Sequence, residues 1–398
     1  MRALEILKGI RIVSFTQFLL GPAGVQYLGD LGADVIKVEP LSGAWERHWS
    51  GGEHYLNGWS VFHLLAHRNS RSIAIDLKRS EGQALARKLA AVADVVVQNY
   101  RPGVIERLGV GYDEVRKLNP KLIYVSASGY GRGGPYRDLA GQDLLLQALT
   151  GLAYITGDGN GPPTAVGCAA VDHHSAALLA MGVLAALVHR LRTGEGQHVE
   201  ITMVEGALDL QRETVSYHLN GFPVARSHSG LASNYHPAPY GIYRTTDGYI
   251  ALSVSPLRML YEATHEERLL PYVAPEEAWC KRDEIHDVVA SIIALKSTDA
   301  WLDQLRPHGV WVERVNSYTE CFDDPGVKHL DPVMEVEVKG AGRVKMLKFP
   351  IRFGAGEPAV RHVPPAVGEN TAQILKEMGY SDQEIAGLEH DKVITGTT

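Results

Sequence analysis

Apolar positions along this chain alternate between two rhythms. Ile10-Arg11-Ile12-Val13 is a short apolar run that reads as a strand. Gly21-Pro22-Ala23 opens a helical pattern lasting to about Leu31, and Gly32 ends it. The segment 33–39 is the next strand, Arg68 to Lys78 a third with cations at both ends, and Asp94-Val95-Val96-Val97 a fourth. Between and after these the spacing predicts helices over 80–92 and 112–118, then a strand over 122–126. Ala176, Leu179, Ala180, Val183, Leu184 and Leu187 recur at helical spacing, the mark of a buried helix of roughly five turns. Arg190, Arg192 and Gly194 close it, where cations and a residue tolerant of positive φ are favoured. A strand over 197–203 and a helix over 205–219 follow.

Strand–helix alternation of this kind predicts an α/β fold with a mostly parallel sheet. The opening βαβ unit, with Glu39 at the end of its second strand, starts as a Rossmann-like domain does. No GxGxxG follows the first strand, and the bulky turn from Phe15 to Gly21 blocks a pyrophosphate, which argues against NAD. From about 221 the pattern changes: a proline-bearing loop, a strand over 249–254, then polar helical sequence to about 328. The expected organisation is a large domain over 1–224, a smaller α/β domain over 225–330, and a segment 331–398 returning to the first. That last segment holds a hairpin around Gly340-Ala341-Gly342 and two short helices.

Composition narrows the function. The 398 residues are 45% hydrophobic and 21% charged, with net charge −7. That is a globular balance with no general nucleic-acid or membrane-surface character. An anionic ligand therefore needs a local basic group, and Arg68, Arg71, Lys78, Arg101 and Arg107 gather around two strand ends. Three widely spaced cysteines predict a reducing compartment. The start of the chain shows no signal-peptide core, and the run 176–188 is too short to span a bilayer, so a cytoplasmic protein is expected.

The chemistry concentrates at Val166–His174, where an uncharged small-residue segment meets a single carboxylate, Asp172, at the head of the long helix. Asp172 has two readings. It is an N-cap, unreinforced because Ser175 completes no capping box. Or it is a nucleophile, held ionised by the helix dipole and able to accept an acyl group. His173, His174 and Cys168 lack metal-site spacing, so no metal is expected, and Cys168 reads as a small buried thiol. Gly129–Pro135 reads as a surface turn, and the Gly-rich run 157–163 as a linker or mobile loop. Gln17, Asn99, Tyr100 and Arg101 sit just after strand ends, where such sheets bind ligands.

Several linked motifs resemble family III coenzyme A transferases and the related α-methylacyl-CoA racemases. They are Leu28 through Glu39, Asn69 through Lys78, Asp94 through Gly103 with Arg107-Leu108-Gly109, Asn119 through Tyr124, and the Asp172 helix running into Arg192-Thr193-Gly194-Glu195-Gly196-Gln197. The resemblance implies a large α/β domain built from both chain ends plus a small domain, in an interlocked homodimer. It implies coenzyme A, as acyl-CoA substrate, along the large domain, with small carboxylic acids as partners and Asp172 as the catalytic residue. CoA contacts carry over to Gln17, Phe18, Ile75, Lys78, Asn99, Tyr100, Arg101 and Arg107, and Asp143 matches a second acidic position near the catalytic one. Pro40 stands where formyl-CoA transferases have an arginine, and their long glycine loop has no counterpart at Ser227–Gly230 and 237–239. Racemases carry a histidine where this chain has Gln142, and an amide takes no proton, which favours a transferase.

Overall fold

The computed structural model describes residues 3–396 except 228–230, 234, 275–277 and 279, so three residues of the Ser227–Gly230 stretch fall outside the described part. The chain divides into two compact units. The first comprises Met1–Leu146, Ala169–Leu210 and Pro332–Thr398. The second comprises Gln147–Cys168 and Gln211–Asp331, wider than the 225–330 span expected from composition.

The first unit is built on a seven-stranded sheet. Its strands are β1 (Arg11–Phe15), β2 (Asp34–Glu39), β3 (Ser70–Ile75), β4 (Val95–Gln98), β5 (Ile123–Ser128), β6 (Gln197–Thr202) and β7 (Ile394–Thr395). The spatial order is β7-β3-β2-β1-β4-β5-β6. All neighbours pair in parallel except β7, which runs antiparallel against β3. β2, β3 and β4 are buried on both faces; β2 and β4 carry apolar runs, whereas β3 buries Ser70, Arg71 and Ser72 ahead of Ile73-Ala74-Ile75. Val13, Phe15, Ile36, Ile73, Val96 and Tyr124 form the core with Leu85, Leu89 and Ile374 from covering helices.

Two helices position the site. Helix α1 (Leu20–Asp30) follows β1 and has no side-chain cap at its start. The long helix, α3 (Ala170–Thr193), has 24 residues, longer than its apolar pattern implied, and ends on Gly194 at φ 79°. It packs on α1 through Gly24, where a Cβ would fall 2.9 Å from the Ala176 carbonyl oxygen, so only glycine allows the approach. By length and composition alone α3 could cross a membrane, contrary to the shorter run expected. Its apolar face, with Val171, Ala176, Leu179, Val183 and Ala186 buried, is used inside the unit as a core helix.

The second unit has a three-stranded antiparallel sheet, Val312–Arg314, Tyr249–Leu252 and Gly241–Arg244, covered by helices Leu257–Thr264, Arg282–Ile293 and Thr298–Leu305. Trp301, Tyr243, Ile250, Leu260 and Val289 fill its core. The 157–163 run belongs here, where Gly159 N–H donates to the Ser227 carbonyl at 2.8 Å and Arg226 donates to the Asp158 and Pro162 carbonyls. The expected 340–342 hairpin joins Val333–Val338 to Gly342–Leu347 in the first unit.

Candidate active site

The order of the sheet reverses between β1 and β4, so the chain leaving β1 and the chain leaving β4 diverge and open a crevice at the carboxyl edge. Asn99 bridges that crevice. Its Oδ1 accepts the Gln17 N–H and its Nδ2 donates to the Gln17 carbonyl, both at 2.8 Å. Here lies a cavity of about 280 Å³ bordered by Gln17, Phe18, Asn99, Tyr100, Arg101 and Asp172. Arg137 and residues 139–142, with Gly129 and Tyr130, form its other wall, so the expected surface turn at 129–135 contributes to the site. The neck of that loop is tight: a Cβ on Gly129 would fall 2.5 Å from the Gly141 Cα.

Asp172 is the third residue of α3 and not its N-cap; Ala169 occupies the cap position and offers no side-chain acceptor. The cap comes from elsewhere in the unit. Asp143, at the start of α2 (Asp143–Leu149), accepts the Asp172 N–H on Oδ2 at 3.0 Å. The N-cap reading of Asp172 is thereby corrected. Its ionisation is corrected too. Burial, and then the Asp143 charge, push the Asp172 carboxyl up to about 7, while the Leu20 N–H at the start of α1 pulls the other way. The helix dipole does not keep it fully ionised at neutral pH, because the desolvated carboxylate faces a second one.

The other expected contacts fall in different places. Ile75 is fully buried in the sheet core, so only its backbone is available to a ligand. Lys78, Arg101 and Arg107 are exposed beyond strand ends, with no carboxylate partner among the described residues. Arg68 and Arg71 are corrected. They lie at the amino edge of β3, buried, with Arg68 bonded to Asp30 and Arg71 to Asp34 and Glu377. They cannot serve a polyphosphate at the opposite edge. Cys168, expected as a buried thiol, is exposed. His174 Nε2 pairs with Asp209 at 2.8 Å and His173 is exposed.

One group escaped the sequence reading. Lys37 and Glu46 form an ion pair at 2.8 Å with side chains 2% and 0% exposed. Beside it Arg47 pairs with Glu39 at 2.7 Å. Burial raises the Glu46 carboxyl, but Lys37 and His67 outweigh it and hold it well below the ordinary carboxylate range. The same cluster pushes Tyr100 up to about 12, by burial and by the Glu46 and Glu39 charges. The available signal was Lys37 itself, a cation in the middle of the apolar run Val35-Ile36-Lys37-Val38. Glu46, His63 and His67 bring ligand atoms within 4.8 Å of one another, a spacing that suits a metal ion. However, Lys37 and Arg47 already balance Glu46 and Glu39, so a divalent cation there would be buried without compensation.

Known proteins share this architecture. The model for CoA-transferase family III matches residues 7–371. A succinyl-CoA–D-citramalate CoA-transferase of Chloroflexus aurantiacus is 32% identical, over 98% of this chain and 98% of its own. A succinate–glutarate CoA-transferase of Agrobacterium fabrum is 33% identical, over 94% of this chain and 95% of its own. The crystal structure of a CAIB/BAIF family protein from Brucella suis superposes with a TM-score of 0.82 at 28% identity, covering 94% of this chain and 99% of that one. With Asp172 bordering a cavity at the switch point of its sheet and a match along nearly its whole length, the chain belongs to CoA-transferase family III and is a CoA-transferase.

Proposed function

We propose that the enzyme moves coenzyme A from an acyl-CoA donor to a free carboxylic acid through covalent intermediates on Asp172. The observation that carries this reading is the half-buried Asp172 carboxyl, in the first turn of α3, bordering a cavity with Gln17 and the Leu20 amide beside it. An Asp172 oxygen attacks the thioester carbonyl, forming an acyl-aspartyl anhydride and releasing the CoA thiolate. The thiolate attacks the aspartyl carbonyl, expelling the donor carboxylate and leaving an aspartyl-CoA thioester. The acceptor carboxylate attacks that thioester, giving a second anhydride and thiolate. The thiolate then attacks the acceptor's acyl carbonyl and frees Asp172. Each step exchanges groups of similar acyl-transfer energy, so the protein supplies positioning and exclusion of water. A carboxyl raised to about 7 is a more basic nucleophile than an ordinary aspartate and is still half ionised at neutral pH.

Lys78, Arg101 and Arg107 are exposed cations at the carboxyl edge with no carboxylate partner among the described residues, suited to the phosphates of coenzyme A. The similar transferases are named for succinyl-CoA, succinate, citramalate and glutarate, which supports a succinyl donor and a dicarboxylic acceptor here. A homodimer is part of this reading. A racemase is disfavoured, because Gln142 borders the cavity where a second base would be needed. Hydroxylamine trapping during turnover is expected to mark Asp172 as its hydroxamate. Turnover without any mark on Asp172, or α-proton exchange with deuterated solvent in the absence of an acceptor acid, would defeat the proposal.

A further inference from the structure

We propose that the buried Lys37–Glu46 pair is a positioning device for the reaction: it fixes the backbone of residues 16–20, and through it the Gln17 side chain and the Leu20 amide beside Asp172. The inference rests on Asp172 as the acyl carrier, proposed above.

Four successive backbone groups of this loop are committed to three side chains. The Thr16 carbonyl accepts from Lys37 Nζ at 2.9 Å, and the Gln17 N–H and carbonyl both go to Asn99. The Phe18 N–H donates to Glu46 Oε2 at 3.2 Å. Phe18 sits at φ 63°, a left-handed conformation that a residue with a side chain adopts only when its surroundings impose it. The turn Trp45–Arg47 imposes it with three consecutive side chains. Trp45 stacks on the Phe18 ring at 4.6 Å, Glu46 takes the Phe18 amide, and Arg47 ties the turn to Glu39 at the end of β2.

A buried ion pair is a poor stabiliser compared with apolar side chains of similar size. Apolar side chains, however, cannot bond a carbonyl and an amide of one loop at once. That is what Lys37 and Glu46 do at Thr16 and Phe18, just ahead of α1, whose N-cap residue Leu19 supplies no side-chain bond. A slip in residues 16–18 swings the Leu20 N–H off Asp172 and turns the Gln17 side chain out of the cavity, and displacements near 1 Å at a reacting centre cost on the order of a hundredfold in rate.

The test uses the full chain and follows exchange of labelled succinate into succinyl-CoA. Glu46→Gln is expected to lower kcat roughly tenfold to a hundredfold. KM for succinyl-CoA is expected to change little, because the exposed cations are untouched. The acid limb of the pH profile is expected to move upward, because Asp172 loses the amide that favours its ionised form. If Glu46→Gln fails to fold by circular dichroism, the double variant Lys37→Met/Glu46→Gln, which keeps the cluster neutral, carries the same expectations. A folded variant with unchanged kcat and acid limb overturns the proposal. So does stoichiometric metal in the wild type that Glu46→Gln loses, which would make the cluster a metal site. Turnover retained by Asp172→Asn would overturn the underlying reading, whereas a dead Asp172→Asn beside an unaffected Glu46→Gln overturns the positioning role alone.

Discussion

The two edges of the large sheet use the same residue types for opposite ends. At the amino edge, Arg11 and Arg71 share Asp34 and Glu377, Arg68 is locked to Asp30, and Arg190 pairs with Asp94 at 2.9 Å. At the carboxyl edge, Lys78, Arg101 and Arg107 stand exposed without a carboxylate partner among the described residues, and the Asp143 charge acts on the Asp172 carboxyl. At the amino edge the cations are neutralised and become fold. At the carboxyl edge they have no carboxylate partner among the described residues, and one of them, Arg101, borders the crevice. A carboxylate deprived of a cation and placed near another carboxylate is destabilised in its charged form. That local cost at the carboxyl edge is tolerated because the paired amino edge and the apolar core hold the sheet regardless.

The largest contrast is expected from Asp172→Asn. Turnover should fall by roughly three or more orders of magnitude in a succinyl-CoA exchange assay, while the chain stays folded. Arg71→Met comes next, on the opposite edge. It leaves Asp34 and Glu377 with one cation between them and should cost about 3 kcal/mol in denaturant unfolding, with KM for the CoA ester unchanged in the protein that remains folded.

The pH dependence sharpens the comparison further. Asp172 has a folded pKa near 7, raised above the ordinary aspartate value, so the folded state binds its proton more tightly than the unfolded state does. Its contribution to stability is fully present below about pH 4 and is lost as pH rises through about 7. Asp172→Asn should therefore gain stability relative to wild type across that window, read as a difference in melting temperature between pH 5 and pH 8. Asp143→Asn should move the acid limb of the kcat/KM profile downward, since it removes the repelling charge but keeps an acceptor for the Asp172 N–H. The smallest effect is expected from Arg101→Met: stability within about 0.5 kcal/mol, and a KM for the CoA ester raised severalfold. An Arg101→Met as destabilising as Arg71→Met would erase the distinction between the edges.

Much of this was legible before folding. The apolar runs at Val35–Val38 and Val95–Val97 mark strands buried on two faces, and the strand–helix alternation marks a parallel sheet, because local periodicity is set by which face a residue shows the core. Gly194 marks the end of α3 because only the left-handed backbone there closes the helix. Asp172, alone after an uncharged stretch, stood out in the sequence as the candidate for the chemistry. Spacing along the chain was silent on charge pairing. Arg68 and Arg71 read as ligand cations, yet their partners Asp30, Asp34 and Glu377 lie up to 306 residues away.

What the amino-acid sequence determined by itself was the set of elements, the parallel architecture and the carboxylate at the head of the long helix, all of them products of near-neighbour sterics and periodic burial. The tertiary structure alone decided the rest. It brought Asp143 and the Leu20 amide to Asp172, buried Lys37 against Glu46 beneath the Gln17 loop, and sorted the arginines between the two edges. Ionisation and hydrogen-bond geometry depend on distances of a few ångströms between segments far apart in the chain, and those distances exist only once the sheet has closed.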